Sequence, residues 1–304
     1  MHCDWRNGPG SREGLHGPGR VGSGGDGARP QRTENGRLPR PSRRRPPGGG
    51  QAVRGRRHPR RCREARLLAA VTAAGRVRVP TVIGYGPVPG LTVSALVTTD
   101  AGTSTLGDAV RAGQMPRPAA LLRLALLMAA FHTVKAPAGV PLAPGIGQQV
   151  SALAAHCPKQ VFVRLAPALE VIAAGARLER LVWCHGDLHL ENVICGGDRR
   201  LTVGEHGRPR LPDYLVDFEA ATVEVPEYDL AQTLVACDAL EPSDRLFVAA
   251  AYGRPVDTRL LDAYVTFQAV RGWTYAAHRE GRDRDAWAAR LHLALSPHSG
   301  RTAL

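Results

Sequence analysis

The chain has 304 residues and a formal net charge of +13, with 40 lysine and arginine side chains against 27 acidic ones. This length allows one large domain or two lobes. The six cysteines form no CxxC pair, which argues against a zinc ribbon or a disulfide framework. There is no signal-peptide apolar region and no apolar run of the ~18 residues that a membrane span needs, so we expect a cytoplasmic protein without a membrane partner.

The positive charge is concentrated at the N-terminus. Residues 1–66 contain 17 arginines against five acidic residues, which accounts for +12 of the net +13. Residues 1–60 are also rich in glycine and proline and have no apolar periodicity, so they cannot bury enough surface to offset their chain entropy. The sequence predicts a disordered Arg/Gly/Pro-rich segment over 1–60.

Three explanations of this N-terminal segment remain open. It is a solvated tail, or the product of a GC-rich gene read in the wrong frame or from the wrong start, or an electrostatic binding site for nucleic acid. The third is the least favoured because no aromatic residues that would stack on bases are interleaved with the arginines. We therefore do not expect a nucleic-acid partner.

Ordered structure is predicted from residue 61 onward. In chain order the periodicities and turn signals predict a helix over 61–75 that ends at Gly75, strands over 81–85 and 91–99, a short helix over 103–113, a helix over 117–136 that is apolar nearly all round, two helices within 147–180, short strands around 181–195 and over 214–219, and helices from 228 to 295. No strand is predicted upstream of residue 61. This order predicts an α+β, two-lobed fold, with a partial N-lobe over 61–102 and a helical C-lobe over 103–304.

One loop concentrates chemically active side chains: Leu181–Cys195, "LVWCHGDLHLENVIC". As a solvated turn it would need only one or two such residues. Because His185, Asp187 and His189 are spaced by two, they would share a face of a strand and could ligate a metal, as in a metal-dependent hydrolase. That signal is weak, since no further His/Asp cluster of ligand spacing follows. The other histidines, His132 among them, are interpreted as surface or satisfied core residues.

A third interpretation pairs this loop with "YLVDFE" at 214–219. Phosphoryl transfer needs a carboxylate that orients the attacking hydroxyl and accepts its proton, and oxygen ligands for magnesium. Asp187 and Asn192 are five residues apart across a tight loop, and Asp217 follows an apolar strand that could face it. His185 would be the structural member of this catalytic set, with its ring bonded to backbone.

These motifs resemble the aminoglycoside phosphotransferase and choline kinase-like family of small-molecule kinases. "HGDLHLEN" matches the pattern His-Gly-Asp-x-x-x-x-Asn, "LVDFE" matches the apolar strand that ends in Asp-Phe, and "EYDLAQ" resembles the third, helical motif. "LLMAAFHTV" resembles the helix before the catalytic loop. The resemblance implies a bilobal protein-kinase-like fold, ATP and Mg²⁺ as cofactors, and a small hydroxylated acceptor.

The resemblance also implies roles for individual residues. Asp187 would be the catalytic base, Asn192 and Asp217 the magnesium ligands, and Asp229 a structural carboxylate that supports the catalytic loop. On the nucleotide side, Glu64 would be the helix glutamate that pairs with a nucleotide-binding lysine. Leu96 and Thr98, in the segment "LVTT", would form the hinge against the adenine.

The sequence departs from the family pattern in two places. Its only lysines, Lys135 and Lys159, lie far downstream of Glu64, although Arg54 or Arg56 could substitute in charge. The segment between Asp187 and Asp217 is longer than usual, and we expect a hairpin excursion that leaves the site intact. The first hypothesis is an ATP-dependent small-molecule phosphotransferase; the alternatives are a catalytically impaired kinase-like binding protein and, third, a metal-dependent hydrolase.

Overall fold

The computed structural model describes residues 54–56, 58–89, 91, 94–139, 143–175, 178–196, 202–203, 209–210, 212–278 and 284–295. Disorder is predicted over 1–60. Residues 1–53 and 57 lie outside the described ranges, whereas residues 54–56 and 58–60 belong to a strand and a helix. Among the described residues, no helix is both long and apolar enough to cross a membrane.

A three-stranded antiparallel sheet and one helix make up the first part of the described chain. Strand β1 (Arg54–Arg56) leads into helix α1 (His58–Ala74), followed by β2 (Val82–Pro87) and β3 (Ser94–Thr98). The strand order is β1-β3-β2, so β3 is central. Gly75 ends α1 with φ at +63°, a left-handed conformation that glycine adopts without strain, as the sequence predicts.

Two features of this part differ from the sequence prediction. Strand β1 was not predicted, and α1 begins at His58, upstream of residue 61. The sequence Arg-Gly-Arg has little intrinsic strand preference, but its pairing with β3, which sets Arg54 opposite Leu96 and Arg56 opposite Ser94, supplies the backbone partners. Tertiary pairing therefore overrides the local composition here.

The rest of the chain is mainly helical. The helices are α2 (Leu106–Arg111), α3 (Arg117–Phe131), α4 (Ile146–His156), α5 (Lys159–Gly175), α6 (Pro226–Ala236), α7 (Pro242–Tyr252), α8 (Thr258–Ala277) and α9 (Arg284–Leu295). Helix α8 lies at the centre and packs against α5, α6 and α9, while α3 packs against α7. Most of the α3 side chains are buried, as its nearly continuous apolar surface predicts.

Three two-stranded antiparallel sheets lie between the helices. Strand β4 (Val182–Cys184) pairs with β9 (Thr222–Glu224), β5 (Val193–Ile194) with β8 (Tyr214–Leu215), and β6 (Thr202–Val203) with β7 (Pro209–Arg210). Strand β8 ends earlier than the predicted 214–219, because the chain turns at Asp217 and continues as a 3-10 turn over Phe218–Ala220.

The pairing of β6 with β7 agrees with the expected hairpin excursion. Its base is closed by a hydrogen bond of 3.3 Å from the backbone N–H of Gly196 to Asp213 Oδ1. The Arg123 guanidinium on α3 reaches both oxygens of Asp213 at 3.2 Å, and both side chains are buried. Burial raises the pKa of Asp213, and the charge of Arg123 opposes that shift. The excursion is thus anchored to the main helical core.

Removing Arg123 should leave a buried carboxylate without its ion-pair partner. We expect Arg123→Met to lower the free energy of unfolding by about 3–5 kcal/mol, measured by urea denaturation. Asp244→Asn is the control: it removes one charge of the half-exposed pair with Arg117 and should cost no more than about 1 kcal/mol. Equal losses in the two variants would show that the Arg123–Asp213 pair does not anchor the excursion.

Candidate active site

Asp187 lies in the loop between β4 and β5, and its carboxylate is nearly buried. Its Oδ1 accepts a hydrogen bond of 3.0 Å from Nε2 of Gln232, and its Oδ2 lies 3.7 Å from Nε2 of His189. Burial is the largest influence on the pKa of Asp187 and raises it, but the neighbouring His189 ring acts with other charges to bring it below its usual value. A lowered pKa keeps this carboxylate ionised at neutral pH.

Asn192 is held against the same loop. Its Nδ2 donates a hydrogen bond of 2.7 Å to the backbone carbonyl of Asp187, and the residue is 6% exposed. Because the amide nitrogen is engaged with this carbonyl, the amide oxygen is the atom that remains to meet a cation. The loop thereby joins a carboxylate and an amide oxygen within five residues.

The pairing of β5 with β8 brings Asp217 to this loop. The N–H of Val216 donates a hydrogen bond of 3.0 Å to the carbonyl of Asn192, so Asp217 follows directly after a residue bonded to the loop. Asp217 is half-buried and has φ 71° and ψ 59°, in the left-handed region that aspartate tolerates better than most residues. Strand β8 ends at Leu215, and the left-handed backbone of Asp217 precedes the 3-10 turn over Phe218–Ala220.

His185 connects the loop that carries Asp187 to the segment that precedes Asp217. Its Nε2 donates to the backbone carbonyl of Val216 at 3.1 Å, and its ring packs against that of Phe218, tilted by 49° with centroids 4.7 Å apart. Burial lowers the pKa of His185, which favours the neutral ring. Phe218 also packs on Phe131, and both aromatic rings contact the His185 ring. The bond from the His185 ring to backbone is the contact that the sequence predicts for it.

Asp229, in the first turn of α6, is the fully buried support of the loop. Its carboxylate accepts hydrogen bonds from the backbone N–H groups of His185 at 2.6 Å and Gly186 at 2.7 Å. It also accepts from Nε2 of His132 at 3.1 Å, whose Nδ1 lies 2.8 Å from the hydroxyl of Tyr252. His132 is therefore a satisfied core residue, as predicted, and it is part of this support.

Gly186 is the residue that makes the tight turn possible. Its φ is +79°, and a Cβ added there would lie 2.1 Å from the carbonyl oxygen of Ala220. No other residue type fits this close approach without displacing the backbone. The glycine of the motif thus lets the loop pass against the segment that follows Asp217.

The structure does not favour the alternative metal site of His185, Asp187 and His189. The His185 ring is directed at the Val216 carbonyl, while the other two side chains face each other. A different group, His132, Cys184 and Asp229, has potential ligand atoms within 4.8 Å of one another. Both ring nitrogens of His132 and both oxygens of Asp229 are occupied by hydrogen bonds, so this group supports the loop.

The residues predicted to contact the nucleotide lie on the sheet and on α1. Leu96 is buried on β3, Thr98 is half-buried at its end, and Glu64 is half-buried on α1. Helix α1 is tied to the segment that follows Asp217 by Arg63, whose Nη2 donates to the carbonyl of Ala221 at 2.7 Å.

The described strands of the three-stranded sheet carry no lysine, in agreement with the departure from the family pattern seen in the sequence. Lys159 begins α5 and Lys135 follows α3, so neither lies on the three-stranded sheet. The strand that leads into α1 instead reads Arg54-Gly55-Arg56, whose side chains lie outside the described part of the structure.

The sequence missed two side chains near Asp187. Gln232 lies three residues after Asp229 on α6 and therefore on the same helix face, a spacing that could have drawn attention to it. His189 was considered as a metal ligand and not as a partner of the Asp187 carboxylate. Gln232 donates a hydrogen bond to Oδ1 of that carboxylate, and His189 Nε2 lies 3.7 Å from its Oδ2.

We expect Asp229→Asn to destabilise the protein, because an amide group cannot accept hydrogen bonds at both positions that the carboxylate occupies. The free energy of unfolding should fall by about 3 kcal/mol in chemical denaturation. Asp238→Asn is the matched control: the Asp238 side chain is 63% exposed, and its change should stay within about 0.5 kcal/mol. A loss for Asp229→Asn as small as that of the control would contradict the supporting role.

Comparison with proteins of known structure shows the same fold in small-molecule kinases. A choline/ethanolamine kinase family protein from Mesorhizobium loti is 16% identical, with a TM-score of 0.55 and 80% of each chain covered. Choline kinase LicA from Streptococcus pneumoniae is 15% identical, with a TM-score of 0.52 over 77% of this chain and 79% of that one. An aminoglycoside phosphotransferase from Streptomyces rimosus, solved with ADP and streptomycin, is 20% identical, with a TM-score of 0.50 over 73% and 86% of the chains.

Curated protein sequences give no significant match to this chain. Residues 43–264, however, match the phosphotransferase enzyme family. The match covers most of the chain and contains every residue that the sequence singled out for the site. The α+β, protein-kinase-like fold predicted from the motifs is confirmed, and the chain belongs to the phosphotransferase enzyme family.

Proposed function

We propose that this protein transfers the γ-phosphoryl group of ATP to a hydroxyl of a small molecule, with Mg²⁺ as the metal ion. The observation that carries the proposal is the hydrogen-bonded set of Asp187, Asn192 and the strand end before Asp217. The Asn192 side chain bonds the backbone of Asp187, and the Asn192 backbone bonds Val216. One base and two oxygen ligands therefore belong to a single connected unit.

Asp187 would orient the acceptor hydroxyl and take its proton as the phosphoryl group is transferred. Its lowered pKa means that the carboxylate is ionised and able to accept a hydrogen bond from that hydroxyl at neutral pH. Phosphoryl transfer has a loose transition state, so orientation contributes more than base strength. A base with a low pKa is compatible with that requirement.

Asn192 and Asp217 fit a magnesium site by their chemistry. Mg²⁺ prefers carboxylate and amide oxygens, and the Asn192 amide nitrogen is already engaged with the Asp187 carbonyl. The left-handed backbone at Asp217 is a conformation that costs energy and is common at functional sites. When bound, the ion would neutralise charge on the nucleotide phosphates.

The nucleotide would lie against β3, with Leu96 and Thr98 on the adenine side and Glu64 on α1 facing the phosphate end. The aminoglycoside phosphotransferase that shares this fold was solved with ADP and streptomycin. By analogy the acceptor would enter between the catalytic loop and the C-terminal helices. A hydroxylated small molecule such as an aminoglycoside, an amino alcohol or a sugar is the proposed substrate class.

A second candidate function is a kinase-like binding protein without catalytic activity. The observation that favours it is the absence of lysine from the described strands of the sheet, since Lys135 and Lys159 lie elsewhere. Arginine is a larger, planar cation and does not replace a phosphate-binding lysine conservatively. Such a protein would not need Asp217 for ligand binding.

The proposal is tested with the full chain, by following ADP release from MgATP with and without a panel of hydroxylated acceptors. Asp187→Asn should lower the rate by about 10²- to 10⁴-fold while MgATP still binds, because only the general base is lost. Asp217→Ala should abolish magnesium-dependent ATP binding.

Asp262→Asn is the control, since Asp262 pairs with Arg245 at a half-exposed position on α8 and should leave both quantities unchanged. Turnover that is equal in the wild type and in Asp187→Asn would refute the proposed reaction. Ligand binding that is unaffected by Asp217→Ala would favour the non-catalytic alternative.

A further inference from the structure

Gln232 connects the proposed base to an arginine on a different helix. Its Nε2 donates to Asp187 Oδ1 at 3.0 Å, and its Oε1 accepts from Nη2 of Arg271 at 3.3 Å. Gln232 lies on α6 and is 8% exposed, and Arg271 lies on α8. We propose that Gln232, with its amide direction set by Arg271, is a positioning residue that fixes the orientation of the Asp187 carboxylate.

Arg271 determines which end of the Gln232 amide meets the base. A guanidinium group has only hydrogen-bond donors, so the side-chain oxygen of Gln232 must face it. The amide nitrogen is then directed at Asp187. The reversed amide would set an oxygen against a carboxylate and an NH₂ group against a guanidinium, which are two repulsive contacts.

Arg271 is itself held in place by two other elements. Its Nη1 donates to Oε1 of Gln149, on α4, at 2.6 Å and to the hydroxyl of Tyr228, on α6, at 3.0 Å. The Tyr228 hydroxyl also donates to Gln149 Oε1 at 3.0 Å. Helices α4 and α6 therefore fix the guanidinium, and through it the Gln232 amide.

As a consequence, the two oxygens of the Asp187 carboxylate have different hydrogen-bonding surroundings. Oδ1 is occupied by Gln232, and Oδ2 remains for the acceptor hydroxyl, with His189 Nε2 at 3.7 Å. Rotation of a carboxylate about its last bond is soft, so a fixed hydrogen bond is needed to hold its plane. Rates of oriented reactions depend strongly on such small displacements.

This inference rests on the proposed function, because a positioning residue acts only if Asp187 is the base. It predicts a change in turnover and not in nucleotide affinity. Gln232→Met keeps the length of the side chain but removes the donor. Gln268→Met is the matched control: it makes the same change at a buried glutamine on α8 whose amide has no hydrogen-bond partner in the described part of the chain.

The first measurement reads the contact directly and requires no activity. In the full ¹⁵N-labelled chain, the side-chain NH₂ signals of Gln232 are assigned by their loss in Gln232→Met. They should shift when Asp187→Asn removes the charged acceptor and when Arg271→Lys removes the planar donor, whereas the Gln268 signals stay in place. Gln232 signals that respond to neither change would overturn the proposal.

The second measurement is the hydrolysis of MgATP, with water as the acceptor. Loss of a hydrogen bond to a charged group predicts that Gln232→Met lowers kcat by about 10- to 100-fold with KM for MgATP unchanged. Gln268→Met should match the wild type. An unchanged kcat, or a rise in KM alone, would overturn the positioning role.

If Gln232→Met does not fold, Arg271→Lys replaces it in the kinetic measurement. The expected result is a smaller fall in kcat, again at constant KM, and an unchanged kcat would overturn the role of Arg271. If the wild type consumes no ATP with water or with any acceptor of the panel, the proposed function fails, while the Gln232 signals still decide whether the amide holds Asp187.

Discussion

The interaction on which the site depends is the buried carboxylate of Asp229. It accepts the backbone N–H groups of His185 and Gly186, and it is held by the His132 ring from α3. A buried ionisable group is costly unless its hydrogen bonds are made, and here three donors meet it. Two of these donors are backbone groups of the loop that carries Asp187. The position of Asp187 therefore follows from a contact in the core with α6.

The two sides of the site are joined through backbone contacts. The β5–β8 pair ties the Asn192 loop to the Asp217 turn, and Arg63 on α1 reaches the carbonyl of Ala221 just beyond that turn. A long excursion between β5 and β8 is compatible with this arrangement, since its base is closed by Asp213. The site residues can therefore keep their positions whatever the length of the inserted hairpin.

Much of this arrangement could be predicted from the sequence, because the three motifs are local and carry most of the site. The end of α1 at Gly75, the backbone-bonded His185 and the buried α3 follow from spacing and polarity. Strand β1 could not be predicted, since Arg-Gly-Arg becomes a strand only by pairing with β3. The contact of Gln232 with Arg271 spans 39 residues and depends on how α6 packs on α8, which no local pattern encodes.

The central claim is that the residues around Asp187, Asn192 and Asp217 bind a nucleotide together with magnesium, although no lysine lies on the described strands of the sheet. The most direct measurement is calorimetric titration of the full chain with ATP, in Mg²⁺ and again with the ion removed by a chelator. The account predicts binding that is saturable in Mg²⁺ and lost without it. No binding in either condition, by a chain that circular dichroism shows to be folded, would contradict it.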